Sequence, residues 1–107
     1  MNRASVPSFT VEAVLDGSPV LIRVSGEFDL TSVDHFEIAT APVPTSVSIV
    51  IDLSATSLID SAALGAILRL RRDQTVGGGT VLVRAPRPYQ RQLFEVTGLL
   101  HLLEPAV

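Results

Sequence analysis

Ser61 follows an acidic residue and opens a run free of charge, Ser61-Ala62-Ala63-Leu64-Gly65-Ala66-Ile67-Leu68, which puts a hydroxyl at the start of a helix. Two chemistries suit a serine there. At or beside an N-cap, its oxygen satisfies an orphan backbone amide. The same free amides and the positive end of the helix dipole accommodate a phosphate carried on that hydroxyl. The residues alone leave both open, and Ser54, Thr56 and Ser57 stand nearby as further hydroxyls.

Other constellations carry less. A hydrolase triad can be written from Ser61, a histidine and an aspartate, but the G-x-S-x-G elbow is missing. His35 and His101 belong to no metal-ligand spacing. The chain has no Cys, which excludes disulfide scaffolds, zinc-thiolate sites and thiol nucleophiles. Gly77-Gly78-Gly79 runs from helix into strand, the reverse of a phosphate-binding loop, and lacks its G-K-[ST] ending. Arg69, Arg71 and Arg72 read as a solvated helix face. No catalytic set emerges, so the expectation is a protein that is not an enzyme and needs no cofactor.

The elements that must position Ser61 follow from periodicity. Phe9, Val11, Ala13 and Leu15 alternate with polar residues, Asp16-Gly17-Ser18-Pro19 supplies turn chemistry, and Val20, Ile22 and Val24 alternate again. This predicts a hairpin that Gly26 ends. Thr31 with Asp34 resembles a capping box, followed by Val33, Phe36 and Ala39 or Thr40 on one face of a short helix that Pro42 and Pro44 stop. Val47 to Leu53 is a β-branched run suited to a central strand covered on both faces. A short polar loop is expected after it. A helix over 61–76 enters the protein end-on, with its Arg-bearing half exposed. Thr80 to Val83 reads as a strand, and Pro88 to Thr97 as a helix with Gly98 past its end. The order β-β-α-β-α-β-α predicts an α/β fold, a mixed sheet of four to five strands with helices packed on it.

Composition sets the bounds. The chain has 107 residues, 47% hydrophobic and 18% charged, enough for one domain with a core of its own. The expected division is a tail over 1–7, the domain over 8–104 and a tail over 105–107. Residues 1–60 hold eight acids and two Arg, residues 61–107 three acids and six Arg, and the sum is the net charge of −3. An acidic chain without Lys is a poor nucleic-acid binder. The longest uncharged stretch, Ile38 to Ile51, is too short for a membrane span and is broken by two prolines, so no membrane insertion is expected. Met1 to Pro7 lacks the apolar run of a secretory signal, which points to the cytoplasm.

Three blocks in order carry a family resemblance. Ile51 to Leu68 resembles the signature of the STAS domain, the fold shared by anti-sigma factor antagonists and the cytoplasmic tails of sulphate transporters. Ser25-Gly26-Glu27-Phe28-Asp29 is similar to the family's Gly-Glu-(Leu/Phe)-Asp motif, and Leu93-Phe94-Glu95-Val96-Thr97-Gly98-Leu99 to its last-helix motif. Together they span nearly the whole of Phe9 to Leu103.

The resemblance implies a single STAS domain acting as an anti-sigma factor antagonist. Such a protein binds an anti-sigma factor serine kinase, releases a sigma factor and is switched off when that kinase phosphorylates it. A phosphoserine phosphatase of PP2C type is the implied counterpart. The family's Asp-Ser-Ser-Gly motif maps onto Asp60-Ser61-Ala62-Ala63, which makes Ser61 the phosphoacceptor and replaces the second Ser and the Gly with Ala. The implied partner surface comprises Glu27, Phe28, Asp29, Thr56, Ser57, Asp60, Ser61, Ala62 and Leu64. Two other roles share the fold: an accessory subunit of a phospholipid ABC transporter, and a component of a large stress-signalling assembly.

Overall fold

Strand β1 (Phe9–Val14) pairs antiparallel with β2 (Val20–Phe28), Phe9 opposite Gly26 and Val14 opposite Leu21. The computed structural model describes residues 9–14, 19–85 and 87–105. The expected turn at Asp16-Gly17-Ser18 and most of both tails lie outside them. After helix α1 (Val33–Thr40) comes β3 (Ile49–Ile59), parallel to β2, then helix α2 (Ser61–Val76) and β4 (Val81–Arg84), parallel to β3. The sheet order is β1-β2-β3-β4. Helix α3 (Pro88–Val96) follows, and a 3₁₀ turn over Leu100–Leu102 leads Leu103 to bridge Val83 at the sheet edge.

Alternation sends Phe9, Ile22, Val24, Ile49, Ile51, Leu53, Val81 and Val83 to one face, where they form a single cluster with Phe36, Ala63, Ile67 and Phe94 from the helices. Among the described residues, the only buried apolar one outside it is Val50. Over Ile49–Leu53 the central strand is buried on both faces, as expected. The helices bury one face, and the other carries a row of charge, Glu12, Arg23, Asp52, Arg84 and Glu104. Arg23 lies 3.8 Å from Glu12 and 3.5 Å from Asp52, and Arg84 lies 2.7 Å from Glu104. Burial pushes the Asp52 carboxyl up, but the Ser54 amide and hydroxyl, with Arg84 and Arg23 beside it, hold it below the ordinary carboxylate range.

The polar loop expected after Leu53 is strand. β3 runs on to Ile59, and its register against β2 shifts twice, between Arg23 and Ser25 and between Gly26 and Glu27. At each shift β3 carries an extra residue, a β-bulge that tightens the twist. Burial after Leu53 then recurs every third residue, at Thr56 and Ile59, instead of every second. Gly26 lies in β2 at the second shift, with a φ of 93° that favours glycine. The described pairing with β1 reaches Gly26, where the hairpin was expected to close, while β2 itself continues to Phe28 along β3.

β4 pairs with β3 only as far as Asp52. Beyond that point side chains of α3 take over. The buried Gln90 donates through Nε2 to Leu53 O at 3.0 Å and Thr56 O at 3.2 Å, Tyr89 donates to Thr56 O at 3.3 Å, and Arg87 to Ser54 O at 3.2 Å. Gln90→Leu keeps the bulk but leaves one or two carbonyls without donors, each costing about 1–3 kcal/mol. We expect a loss of about 2–4 kcal/mol in urea unfolding; a midpoint equal to wild type would show that the bulged strand holds without this clamp.

Candidate functional site

The C-terminal ends of β2 and β3 lie side by side, Phe28 opposite Ile59, and the chain turns from each into α1 and α2 respectively. The site is built where these two turns meet. Asp60 is the N-cap of α2: its Oδ1 accepts from Ala63 N at 3.0 Å. Ser61 is thus the first helical residue and not the cap, because the carboxylate one position earlier already holds the amide a capping hydroxyl would take. Its side chain is exposed.

Asp60 also reaches across. Its Oδ2 accepts from Leu30 N at 3.2 Å, and its own amide donates to Phe28 O at 3.3 Å. The β2–α1 turn is therefore held against the start of α2, and the Gly-Glu-Phe-Asp block is adjacent to Ser61. Within that turn, Asp29 Oδ1 accepts from the Thr31 hydroxyl at 2.6 Å and from Thr31 N at 3.0 Å. The Thr31 hydroxyl is the largest influence holding the Asp29 carboxyl below its ordinary value of 3.8, with the Thr31 amide and Ser32 adding to it against a smaller upward push from burial. A lowered carboxyl pKa stabilises the fold above the ordinary range and loses that contribution as the pH falls through the lowered value. The expected Thr31 capping box is absent. α1 starts at Val33 after Ser32, whose hydroxyl points back into the turn and donates to Glu27 O at 2.9 Å.

The sequence-derived partner residues divide. Glu27, Ser57 and Ser61 are exposed, and Asp29, Asp60 and Ala62 are half-buried, around the two turns and the end of β3. Phe28, Thr56 and Leu64 are corrected to core. Phe28 ends an inward-facing stretch of β2 and packs between Phe9 and Phe36, with ring centroids 5.5 and 4.8 Å away. The buried Thr56 hydroxyl donates to Val24 O at 2.8 Å. Leu64 faces the sheet from the first turn of α2. Ala63, which stands where the family motif has Gly, is buried with helical backbone, and no described residue other than glycine has positive φ. The replacement is free of strain. Leu30, which no motif or periodicity marks, has its amide on Asp60 and its side chain 75% exposed.

The remaining candidates stay outside. His35 is exposed, edge-on to Phe9 with centroids 5.2 Å apart. Arg69 bonds Glu37 of α1 at 2.9 Å, and Arg72 lies 3.4 Å from Asp73 in solvent. Gly77 caps the C-terminus of α2, and a side chain at Gly77 or Gly79 would overlap Thr45 or Val47, so close packing of the turn accounts for two of the three glycines. Among the described residues there is no His, Asp or Glu group able to hold a metal, and no helix long and apolar enough to cross a membrane.

Comparison with known proteins agrees with this geometry. A family model described as "Mlab, STAS domain" matches residues 11–104. The anti-sigma F factor antagonist of Lysinibacillus sphaericus is 34% identical over 84 residues, 75% of this chain and 71% of that protein. An anti-sigma factor antagonist from Mycobacterium paratuberculosis superposes with a TM-score of 0.75 at 26% identity, covering 98% of this chain and 92% of that one. The anti-sigma factor antagonist SpoIIAA in its unphosphorylated form gives a TM-score of 0.74 at 24% identity over 92% of this chain and 88% of that one. Bacillus SpoIIAA in its phosphorylated form gives 0.65 at 23% identity over 92% of each. With the motif blocks on neighbouring strand ends and the family model spanning nearly all of the described fold, the chain belongs to the STAS-domain family.

Proposed function

We propose that this protein is an anti-sigma factor antagonist that docks on a kinase-type anti-sigma factor through the surface around Ser61, so releasing a sigma factor. Phosphorylation of Ser61 by that kinase switches it off, and a PP2C-type phosphatase restores it, all in the cytoplasm. In this scheme the protein is the substrate of an enzyme and a binding module, without catalysis of its own. One observation carries the reading: an exposed serine at the first helical position, with Asp60 already serving as the cap. The hydroxyl is thus free to be modified without unravelling the helix. That a relative has been solved in both phosphorylated and unphosphorylated forms supports the same modification here.

A second reading is favoured by the family model's own description, Mlab, which does not name an anti-sigma role. It is the accessory subunit of a phospholipid ABC transporter, with the start of α2 gripping an ATPase. Affinity purification of the tagged chain followed by incubation with ATP and intact-mass analysis separates the two. Retention of a GHKL-type kinase and a single phosphate on Ser61, absent in Ser61→Ala, is expected. Retention of an ABC ATPase with no phosphorylation selects the transporter, and phosphate on Ser57 overturns the assignment of Ser61.

A further inference from the structure

Leu30 is the most exposed large apolar residue of the two turns that form the site, and it is not loosely held. Asp60 Oδ2 takes its amide at 3.2 Å, Ser32 N donates to Asp29 O at 3.0 Å, and the Asp29 carboxylate bonds Thr31 on the other side. The carboxylate that fixes Leu30 is the same one that caps α2 one residue before Ser61. An apolar side chain carried on a backbone fixed in this way costs less to order on binding than one on a mobile turn, which lets a single residue act as an anchor. The charged residues of the two turns and of the helix starts they lead into are acids, Glu27, Asp29, Asp34 and Asp60, with no Lys or Arg between Arg23 and Arg69 in the sequence.

We propose that Leu30 is the anchor that selects the partner, and that Asp60 is a positioning residue which holds this anchor in fixed register with the Ser61 hydroxyl. The occupant is the serine kinase that modifies Ser61, which would present an apolar pocket with a basic rim. This rests on Ser61 being the phosphoacceptor. The chemistry at Ser61 needs the hydroxyl in the kinase's active site, and Leu30 supplies the binding contact that brings it there. It acts on association and not on the phosphoryl-transfer step itself.

Asp60→Asn is the informative substitution, because the asparagine oxygen can still cap α2 while its NH₂ cannot accept from Leu30 N. In the isolated protein, Leu30 amide exchange in Asp60→Asn should accelerate at least about tenfold with Ala63 protection retained. Unchanged exchange at Leu30 overturns the clamp, whatever the kinase does. With the kinase that co-purifies with and phosphorylates wild type, Leu30→Ala should raise KM about tenfold or more, leave kcat within about twofold and leave the melting temperature unchanged. Asp60→Asn should also raise KM, and the double variant should add little to Leu30→Ala, since both act through one side chain. A KM within twofold of wild type in Leu30→Ala, with Ser61 still phosphorylated, overturns the anchor alone. Failure of wild type to be phosphorylated on Ser61 overturns the function on which the anchor depends.

Discussion

Ser61→Asp is expected to bind the unliganded anti-sigma factor at least about tenfold more weakly than wild type, and the Ser61 phosphoprotein about a hundredfold more weakly, with the fold unchanged in both. A phosphate brings about −2 at pH 7, aspartate −1. The charge arrives beside Asp60, whose two oxygens accept from the backbone amides of Leu30 and Ala63. Asp29, kept ionised by Thr31, lies in the adjoining turn. A like-charge pair at ~4 Å costs up to a few kcal/mol at an effective dielectric near 20, against about 0.3–1 kcal/mol returned by the helix dipole at an exposed terminus. Repulsion is the larger effect. Docking adds the cost of stripping water from the new charge, and with ~1.4 kcal/mol per tenfold in affinity, one to two decades follow without any refolding. An acidic residue at the first helical position is favourable to the helix itself, so the circular dichroism spectrum and melting should stay within a few degrees of wild type. Calorimetric titration checks the affinity. A dissociation constant for Ser61→Asp within twofold of wild type would show that Ser61 lies outside the docking surface.

The parts legible in the sequence are those where one period persists. Ile22 and Val24, Ile49 to Leu53, and the helical spacing of Leu64 and Ile67 all identify elements and their buried faces correctly. α2 spans 61–76 as its pattern and the glycines after it require. What was not legible depends on pairing. Ser54 to Ile59 reads as a polar loop because its burial repeats every third residue, and that repeat arises from bulges set by the partner strand, information no local window contains. Gly26 and Asp29 are turn formers, so their block reads as a loop, yet Gly26 serves a bulge within the strand and only Asp29 makes a turn. At the site, the motif fixed the place of Ser61 but not which side chain caps α2. Asp60 and Ser61 are both good caps in isolation, and Asp60, which takes the position, also bonds the Leu30 amide thirty residues away, a contact that no local window contains. The roles of Gln90 and Leu30 had no sequence signal, since one answers to carbonyls that β4 leaves unpaired and the other to a contact between turns.

Phe28→Ala is expected to be the most destabilising single change near the site, and to separate scaffold from docking surface. Phe28 is fully buried at the end of β2, tilted against Phe9 and Phe36 at 5.5 and 4.8 Å, and its carbonyl receives the Asp60 amide. Truncating a buried Phe costs ~3–5 kcal/mol through lost transfer energy and the cavity left behind. The two aromatic contacts add toward the upper end of that range. Against a total stability of ~5–15 kcal/mol, this removes a large fraction of what holds a domain of this size together. Melting should fall by at least about 12 °C, at roughly 4–8 °C per kcal/mol for a domain near 100 residues. Glu27→Ala, one residue earlier on the solvent side of the same strand, should melt within about 2 °C of wild type and show its effect, if it touches the partner, as lost affinity. Thermal unfolding of the two variants side by side makes the comparison. Should Phe28→Ala melt within about 3 °C of wild type while binding fails, the phenyl ring belongs to the docking surface after all, and the aromatic cluster of Phe9, Phe28 and Phe36 is not what anchors the end of β2 beneath Ser61.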